Sequence, residues 1–445
     1  MNTATAQRCL VVGLGLSGAS SLRHLARLGA ELVVTDSRPE PAGVEDLRRA
    51  YPQVEFRLGG FDAPRPLRQF DMAVISPGLS LQEPFIQELR AAGVELVGDI
   101  ELFARAVRAP VIGITGSNGK STVTTLVAAM AQAAGLKVAV GGNLAPPALD
   151  LLADGVELYV LELSSFQLET THSLACRAAT ILNLSEDHLD RHGSMAAYAA
   201  AKARVWERCG LRVANRDDAA VMALLGHADA TAQTFGLDAP GANGRYGLVE
   251  HRSQLWLAAP EPLLPVSELR IAGLHNAANA LAALALADAA GIPRTASLAA
   301  LREYAGLPHR CALVAEIAGA RYYNDSKGTN VGSTLAAIKG LPAPVIWLGG
   351  GQGKGQDFRP LAGALADKAS AAILFGEDAP QIAEAIGGSV PVYREPDLHA
   401  ALRRAHTLAR PGASVLLSPA CASFDQFKNY MDRGAQFEAA VRALA

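Results

Sequence analysis

Short aliphatic runs alternate along the chain with segments whose apolar positions recur every three to four residues. Residues 9–12, 31–35 and 71–75 each close on Gly, Ser, Pro or Asp, the pattern of strands buried on both faces. Residues 19–28 have helical spacing and stop at Gly29. A strand–helix–strand order of this kind predicts an open parallel sheet. A second unit opens at Val111–Thr115 and continues into a helix over 121–134, where Val123, Leu126, Val127, Met130 and Ala134 share a face. Strands are expected at 159–163 and 180–183, and a small antiparallel insertion within 237–266, which Gly and Pro punctuate. The Ala-rich stretch 276–290 reads as a helix stopped by Gly291-Ile292-Pro293, with Asn276 at its N-cap. A third unit from Leu307 offers strands at 345–348, 372–375 and 414–417. The pattern predicts an α/β protein of three consecutive domains.

Composition narrows this picture. At about 150 residues per domain, 445 residues agree with three units. Half the residues are apolar but only 5% are aromatic, so the cores must be built from Ala, Val and Leu. Lys and Arg number 40 against 43 Asp and Glu, without a basic run, which argues against a nucleic-acid partner. The N-terminus lacks the basic and apolar regions of a signal peptide, and no apolar stretch is long enough to span a membrane. Five scattered cysteines without a CxxC pair give neither a disulfide framework nor a thiolate zinc site. A soluble cytoplasmic protein is expected.

Two glycine-rich turns carry candidate chemistry. Gly13-Leu14-Gly15-Leu16-Ser17-Gly18 follows a strand and opens a helix, with Asp36 ending the next strand. Alone, this segment leaves three readings open: an NAD fingerprint, a site for another nucleotide diphosphate, or a tight turn for close packing. The run Ile114 to Thr122 is more specific. Amides of Gly116, Ser117, Asn118 and Gly119 would converge on phosphate, Lys120 would supply a point charge, and Ser121 or Thr122 would reach Mg²⁺. Ile114 stands where the strict GxxxxGK[ST] pattern has its first Gly, yet strand, loop and helix follow in the required order. ATP binding is expected, and hydride transfer has no use for such a loop. Glu162 interrupts a buried strand and needs a partner or a cation; with Ser121 it suits Mg²⁺. His188 and His192 lack a third zinc ligand, and His192 reads as a solvated loop residue. Asp187 reads as a residue that orients His188. Spacing alone makes Lys202 a helix-surface lysine, and leaves Lys327 and Lys354 open between solvated charges and site residues.

Taken together, TGSNGKSTVTTL, LELSSFQLE, NLSEDHLDRH, AGLHNAANA, GLPHR, NDSKGTN, GGGQGKGQDF and LSPACASFDQFKN resemble the Mur ligase family, ATP-dependent amide-forming enzymes of peptidoglycan synthesis. The resemblance spans the chain. It implies a UDP-binding, Rossmann-like domain over 1–98, a central P-loop ATPase-type domain with a parallel sheet over 99–306, and a Rossmann-like, glutamate-binding domain over 307–445. Within the family the chain looks most like the enzymes that add D-glutamate to UDP-N-acetylmuramoyl-L-alanine; the Asp-Asn-Pro-Arg motif of diaminopimelate-adding relatives is absent. The glycine turn at 13–18 would then hold uridine diphosphate, with Leu16, Ser17, Asp36, Ser37 and Arg38 around the uracil and Ser76 and Gly78 nearby. Asn143 and His188 would meet the muramoyl–alanine part. ATP would lie on residues 116–122, with Asn276 and Asn279 at the adenine and Arg310 and Asp325 reaching the phosphates and ribose from the third domain. Ser121 and Glu162 would serve one Mg²⁺, and His188 and a carbamylated Lys202 a second. Lys120, His188 and Lys202 would be the catalytic groups. Thr329, Lys354, Ser423 and Tyr430 match the pocket for the incoming glutamate. Ser17 and Ser37 stand where relatives often carry Thr, Gly328 where Ala is usual, and Tyr430 where Phe is frequent. Carbamylation needs a neutral amine, and at an ordinary pKa near 10.4 under ~0.1% of a lysine is neutral at pH 7, so the site must desolvate it or a metal must draw the equilibrium. The implied enzyme works as a monomer on small molecules.

Overall fold

The structure, a computed structural model, describes residues 7–226, 231–241 and 245–444; residues 242–244, within the expected insertion, lie outside these. The aliphatic runs form three sheets. In the first, β1 (Arg8–Val12), β2 (Glu31–Asp36), β3 (Glu55–Leu58), β4 (Met72–Ile75) and β5 (Glu95–Val97) are all parallel, in the order β3-β2-β1-β4-β5. Strand β1 is central because both its faces are apolar: Cys9 and Val11 enter one core, Leu10 and Val12 another. The turn at Gly13 therefore leaves the sheet where the strand order reverses, the place where such sheets bind ligands.

The central sheet contains β6 (Val111–Thr115), β7 (Val138–Gly142), β8 (Leu158–Glu162), β9 (Ala178–Ile181), β10 (Arg212–Asn215) and β11 (Gln233–Phe235), again parallel, in the order β11-β10-β9-β6-β8-β7. Register sets the site, because Ile114 on β6 faces Glu162 on β8. Strand β9 ends two residues earlier than the pattern predicts, and Asn183 instead turns back to the loop after β6. The insertion is antiparallel as expected, through β12 (Gly247–His251), β13 (Gln254–Ala258) and β14 (Pro262–Pro265). The Ala-rich helix runs Leu274–Ala290, and its small side chains share a core with helix Lys120–Ala133. Gly273 is its N-cap, which corrects the reading of Asn276: that residue sits in the first turn and donates its Nδ2 to the Ala272 carbonyl at 2.7 Å.

The third sheet is ordered β15-β16-β20-β17-β18-β19, from β15 (Ala312–Ile317), β16 (Ala320–Asn324), β17 (Val345–Gly350), β18 (Ala369–Phe375), β19 (Val392–Arg394) and β20 (Ser414–Leu417). Only β15 is antiparallel, an edge hairpin turned by Ala318-Gly319 that the hydrophobic pattern hid because β15 is partly exposed. The first and central sheets share one core, bridged by Ile100, Leu102 and Phe103 of helix Asp99–Ala106. Asp150 adds a polar link, accepting from Ser20 Oγ at 2.8 Å and Arg23 Nη2 at 2.6 Å. The third sheet has cores of its own; among the described residues, only Ala272 joins them from the central unit. No helix among the described residues is long and apolar enough to cross a membrane.

Candidate active site

The loop after β6 is clamped from three sides. The Ser117 amide donates to the Asn183 carbonyl at 2.9 Å, the Asn118 amide to Asn183 Oδ1 at 2.8 Å, and Asn183 Nδ2 returns to the Asn118 carbonyl at 3.1 Å. Ser117 Oγ accepts from the Ser185 amide and meets the Tyr198 hydroxyl, both at 3.0 Å. Gly119 has φ +83° at the start of the helix, and a Cβ there would come within 2.5 Å of Asn279 Oδ1. Asn279 Nδ2 donates to Asn276 Oδ1 at 3.1 Å, so both asparagines line one edge of the loop. Asn183, Ser185 and Tyr198 were missed by sequence reasoning. The polar break just after an apolar run, and a tyrosine four residues before Lys202 on one helix face, were the available signals.

Two ammonium groups converge on the loop. Lys120 Nζ donates to the carbonyls of Gly116 and Ser117, both at 2.9 Å, and Lys202 Nζ reaches the same Gly116 carbonyl at 2.8 Å. Lys202 is 1% exposed, its ammonium 4.6 Å above the Tyr198 ring, which overturns its reading as a surface lysine. Burial, and then the charge of Lys120, push its pKa well below that of an ordinary lysine. Burial also lowers Lys120, with Glu162 and Asp187 opposing.

Glu162, buried at the end of β8, accepts from Ser121 Oγ and from Asn143 Nδ2. Arg310 Nη2 arrives from beyond the central sheet and donates to Ser121 Oγ at 2.8 Å. A buried carboxylate beside a hydroxyl is a donor set for a hard cation. Among the described residues no group of three or more His, Cys, Asp and Glu is placed to hold a metal. Ser121 and Glu162 together fit Mg²⁺.

Phe166 organises both histidines. The His188 ring meets it edge-on at 4.8 Å and His192 stacks on it at 5.4 Å, while the Arg191 guanidinium lies 4.8 Å from its centroid. His192 is not solvated as the sequence suggested: its side chain is 2% exposed and bonds Ser165 Oγ through Nε2 at 3.0 Å. His188 has φ +54°, and its Nε2 is 3.6 Å from Asp187 Oδ2. Burial lowers its pKa, which Asp187 opposes and Lys120 and Lys202 reinforce. Beside this stretch a cavity of about 540 Å³ opens between the first and central units, lined by Ser80, Gln82, Arg90, Arg191 and Arg204.

The third unit adds further groups. Asp325 accepts from Ser418 Oγ at 2.7 Å and from the Cys311 amide at 3.1 Å, and burial raises its pKa to about 7. Lys327 lies 4.0 Å over the Tyr430 ring; burial, then Arg310, lower it to about 8, so it is not a freely solvated charge. The Thr329 amide donates to the Lys327 carbonyl. Lys354 is exposed with φ +52°, its ammonium 5.6 Å from the Phe424 ring, and Ser423 is buried next to Phe424.

The first unit holds a separate group. Asp36 accepts from the Leu14 amide at 2.6 Å and from Arg38 through its amide and guanidinium. Burial alone would raise its pKa, but these bonds hold it down at about 2. Ser76 sits against Gly13, where a Cβ would approach its own Cβ to 2.8 Å. Leu16, Ser37 and Gly78 are exposed around this turn, and Ser17 bonds the buried Asp99.

Comparison with known proteins places these groups in one family. Residues 7–98 match the Mur ligase MurD-like N-terminal domain, 114–287 the Mur ligase middle domain and 309–421 the Mur ligase glutamate ligase domain. The chain is 53% identical over 441 residues to a UDP-N-acetylmuramoylalanine–D-glutamate ligase of Pseudomonas fluorescens, covering 98% of each chain. It is 49% identical to the enzyme of that name from Nitrosococcus oceani, covering 98% of this chain and 96% of the other. The chain belongs to the Mur ligase family. The fold agrees: MurF of Acinetobacter baumannii superposes with a TM-score of 0.61 at 18% identity, over 98% of this chain and 92% of that one. The UDP-N-acetylmuramate–alanine ligase of Thermotoga maritima gives 0.57 at 18% identity, over 98% and 100%. In this Mur ligase, Lys120, Glu162 and Lys202 fall in the middle-domain match, and Arg310 and Asp325 in the glutamate ligase match.

Proposed function

We infer that this chain is an ATP-dependent, ADP-forming ligase that joins D-glutamate to UDP-N-acetylmuramoyl-L-alanine in peptidoglycan precursor synthesis. Near-full-length identity to ligases of that name supports the substrate assignment. One observation carries the chemistry: Lys120, Ser121, Glu162 and Arg310, from two domains, meet at the phosphate loop.

The alanine carboxylate of the sugar nucleotide attacks the γ-phosphate of ATP, breaking its bond to the bridging oxygen and releasing ADP. The glutamate amine then adds to the acyl phosphate; the tetrahedral intermediate expels phosphate, and the amine loses its proton. Two anions repel in the first step, so Lys120 and the loop amides not tied to Asn183 must stabilise the transferring charge. Mg²⁺ held by Ser121 and Glu162 would supply further neutralisation. His188, braced by Phe166, and a carbamylated Lys202 would hold a second Mg²⁺. Lys202 suits that modification because burial favours its neutral amine, the form that adds to CO₂. Asn276 and Asn279 would meet adenine, with Arg310 and Asp325 at the phosphates and ribose. Thr329, Lys354, Ser423 and Tyr430 would receive glutamate. The turn at 13–18, with Asp36, Arg38 and Ser76, would hold the uridine diphosphate, and Asn143 the muramoyl–alanine. Acyl phosphate hydrolyses readily, so the third domain must cover the site during turnover. One chain carries every proposed group, so a monomer suffices; a cytoplasmic location is part of the same reading.

The test is phosphate release with all three substrates. Lys120→Ala lowers it by about 10²–10³-fold, as expected for removing one preorganised charge at the transferring phosphate. Near wild-type release in that variant refutes the reading.

A further inference from the structure

Helix Tyr430–Arg442 carries an arginine in a costly place. Arg433 is 0% exposed and stands in the first turn, the helix end that disfavours a cation. Its hydrogen bonds go to one hydroxyl and to carbonyls, not to a carboxylate. Burial lowers its pKa to about 10, which still leaves it charged at neutral pH. A hydrocarbon side chain would fill the same space without burying a charge, so packing alone does not account for the guanidinium.

The guanidinium ties separate segments together. Nε donates to Ser326 Oγ at 3.0 Å and Nη2 to the Ser326 carbonyl at 2.8 Å. Nη2 also reaches the Cys421 carbonyl at 3.1 Å, and Nη1 the Ala422 carbonyl at 3.4 Å. Ser326 Oγ passes the link on to the Tyr430 carbonyl at 2.8 Å. One side chain therefore fastens the segments that carry Asp325, Ser423 and Tyr430. From the opposite strand end, the Gln352 amide donates to the Ala422 carbonyl at 3.0 Å, and the Ala422 amide donates back at 2.9 Å.

Peptide geometry turns this clamp into an orientation. A trans peptide is planar, so its carbonyl and its N–H point in opposite directions. With the Ala422 carbonyl held by Arg433 and Gln352, the Ser423 amide is directed away from both. Ser423 is buried, yet among the described residues its amide has no acceptor. Buried amides without a partner are rare, and one fixed beside its own hydroxyl is suited to a carboxylate.

We propose that Arg433 is a positioning residue for the amino-acid substrate, aiming the Ser423 amide at a glutamate carboxylate by holding the peptides that precede it. The identity of that substrate rests on the ligase reading above; the orientation of the amide does not.

The test sets Arg433→Lys and Arg433→Ala against the parent in ADP release. Arg433→Lys keeps the charge but not the planar fork that spans two loops. Its KM for D-glutamate rises at least about tenfold, the loss of one charge-assisted hydrogen bond. Its kcat at saturating glutamate and its Kd for ATP and for the sugar nucleotide stay within about twofold, since those groups lie elsewhere. Methylguanidinium added to Arg433→Ala lowers the glutamate KM again, and methylammonium does not. An unchanged KM in a folded variant, or an equal loss of nucleotide affinity, overturns the proposal. If neither variant folds, the parent decides. With nitrogen-15 serine, D-glutamate must shift the Ser423 amide resonance and slow its hydrogen exchange; an amide that does neither overturns the proposal. A parent that makes no ADP with all three substrates overturns the ligase reading instead, and the Ser423 resonance then shows whether an amino-acid carboxylate binds there.

Discussion

Single residues show how far burial changes chemistry. Lys202 looks like any lysine on an Ala-rich helix, yet it is enclosed against Gly116 and Tyr198 and shares an acceptor carbonyl with Lys120. Desolvation plus a neighbouring like charge favours the neutral amine, so CO₂ addition becomes feasible at neutral pH. The protein held in CO₂-free buffer should lose turnover and regain it on adding bicarbonate, whereas Lys202→Ala should be inactive in both; a bicarbonate-independent parent contradicts the carbamate. Asp325 shows the opposite sign. Its pKa rises from 3.8 to about 7 on burial, so between those values the native state binds the proton that the unfolded chain has lost. Stability from this group is complete below pH ~4 and is lost as pH rises through ~7. Asp325→Asn removes that dependence. Its melting temperature relative to the parent should climb between pH ~4 and ~7 and level off above, and a constant difference across that range would show that Asp325 titrates alike in the folded and unfolded chain.

At the scale of elements, glycine turns do the positioning. Gly18 packs so close to the first strand that a Cβ would lie 1.9 Å from the Gly13 carbonyl oxygen. Gly18→Ala must displace the helix or the turn, at a cost of about 1–3 kcal/mol, and should weaken the sugar nucleotide at least about tenfold while ATP binding at the other turn holds. Isothermal titration with each ligand separates the two, and equal losses would place both ligands on one site. The strands and helices that frame both turns were legible in the sequence because buried parallel strands write continuous aliphatic runs and helices write a 3.6-residue period. Val111–Thr115 and Ser414–Leu417 match their expected limits. The hairpin of β15 was hidden by its partial exposure, and the end of β9 was displaced by the side-chain bonds of Asn183. Motif residues announced the phosphate loop. Residues that hold it through single polar contacts, such as Tyr198 and Asn330, were silent because no periodic pattern encodes them.

Across the molecule, two kinds of junction divide the labour. The first and central sheets share an apolar core and the Asp150 link, which fixes the glycine turn of the first unit relative to the phosphate loop. The third sheet keeps its own cores and meets the central unit through polar contacts, a junction suited to opening and closing. The proposed reaction requires a carboxylate from one side to meet the γ-phosphate bound in the middle before an amine arrives from the other. Oxygen-18 in the alanine carboxylate of the sugar nucleotide follows that meeting directly. With ATP and D-glutamate present, the phosphate released should carry one labelled oxygen per amide formed. Phosphate released without label would contradict the account.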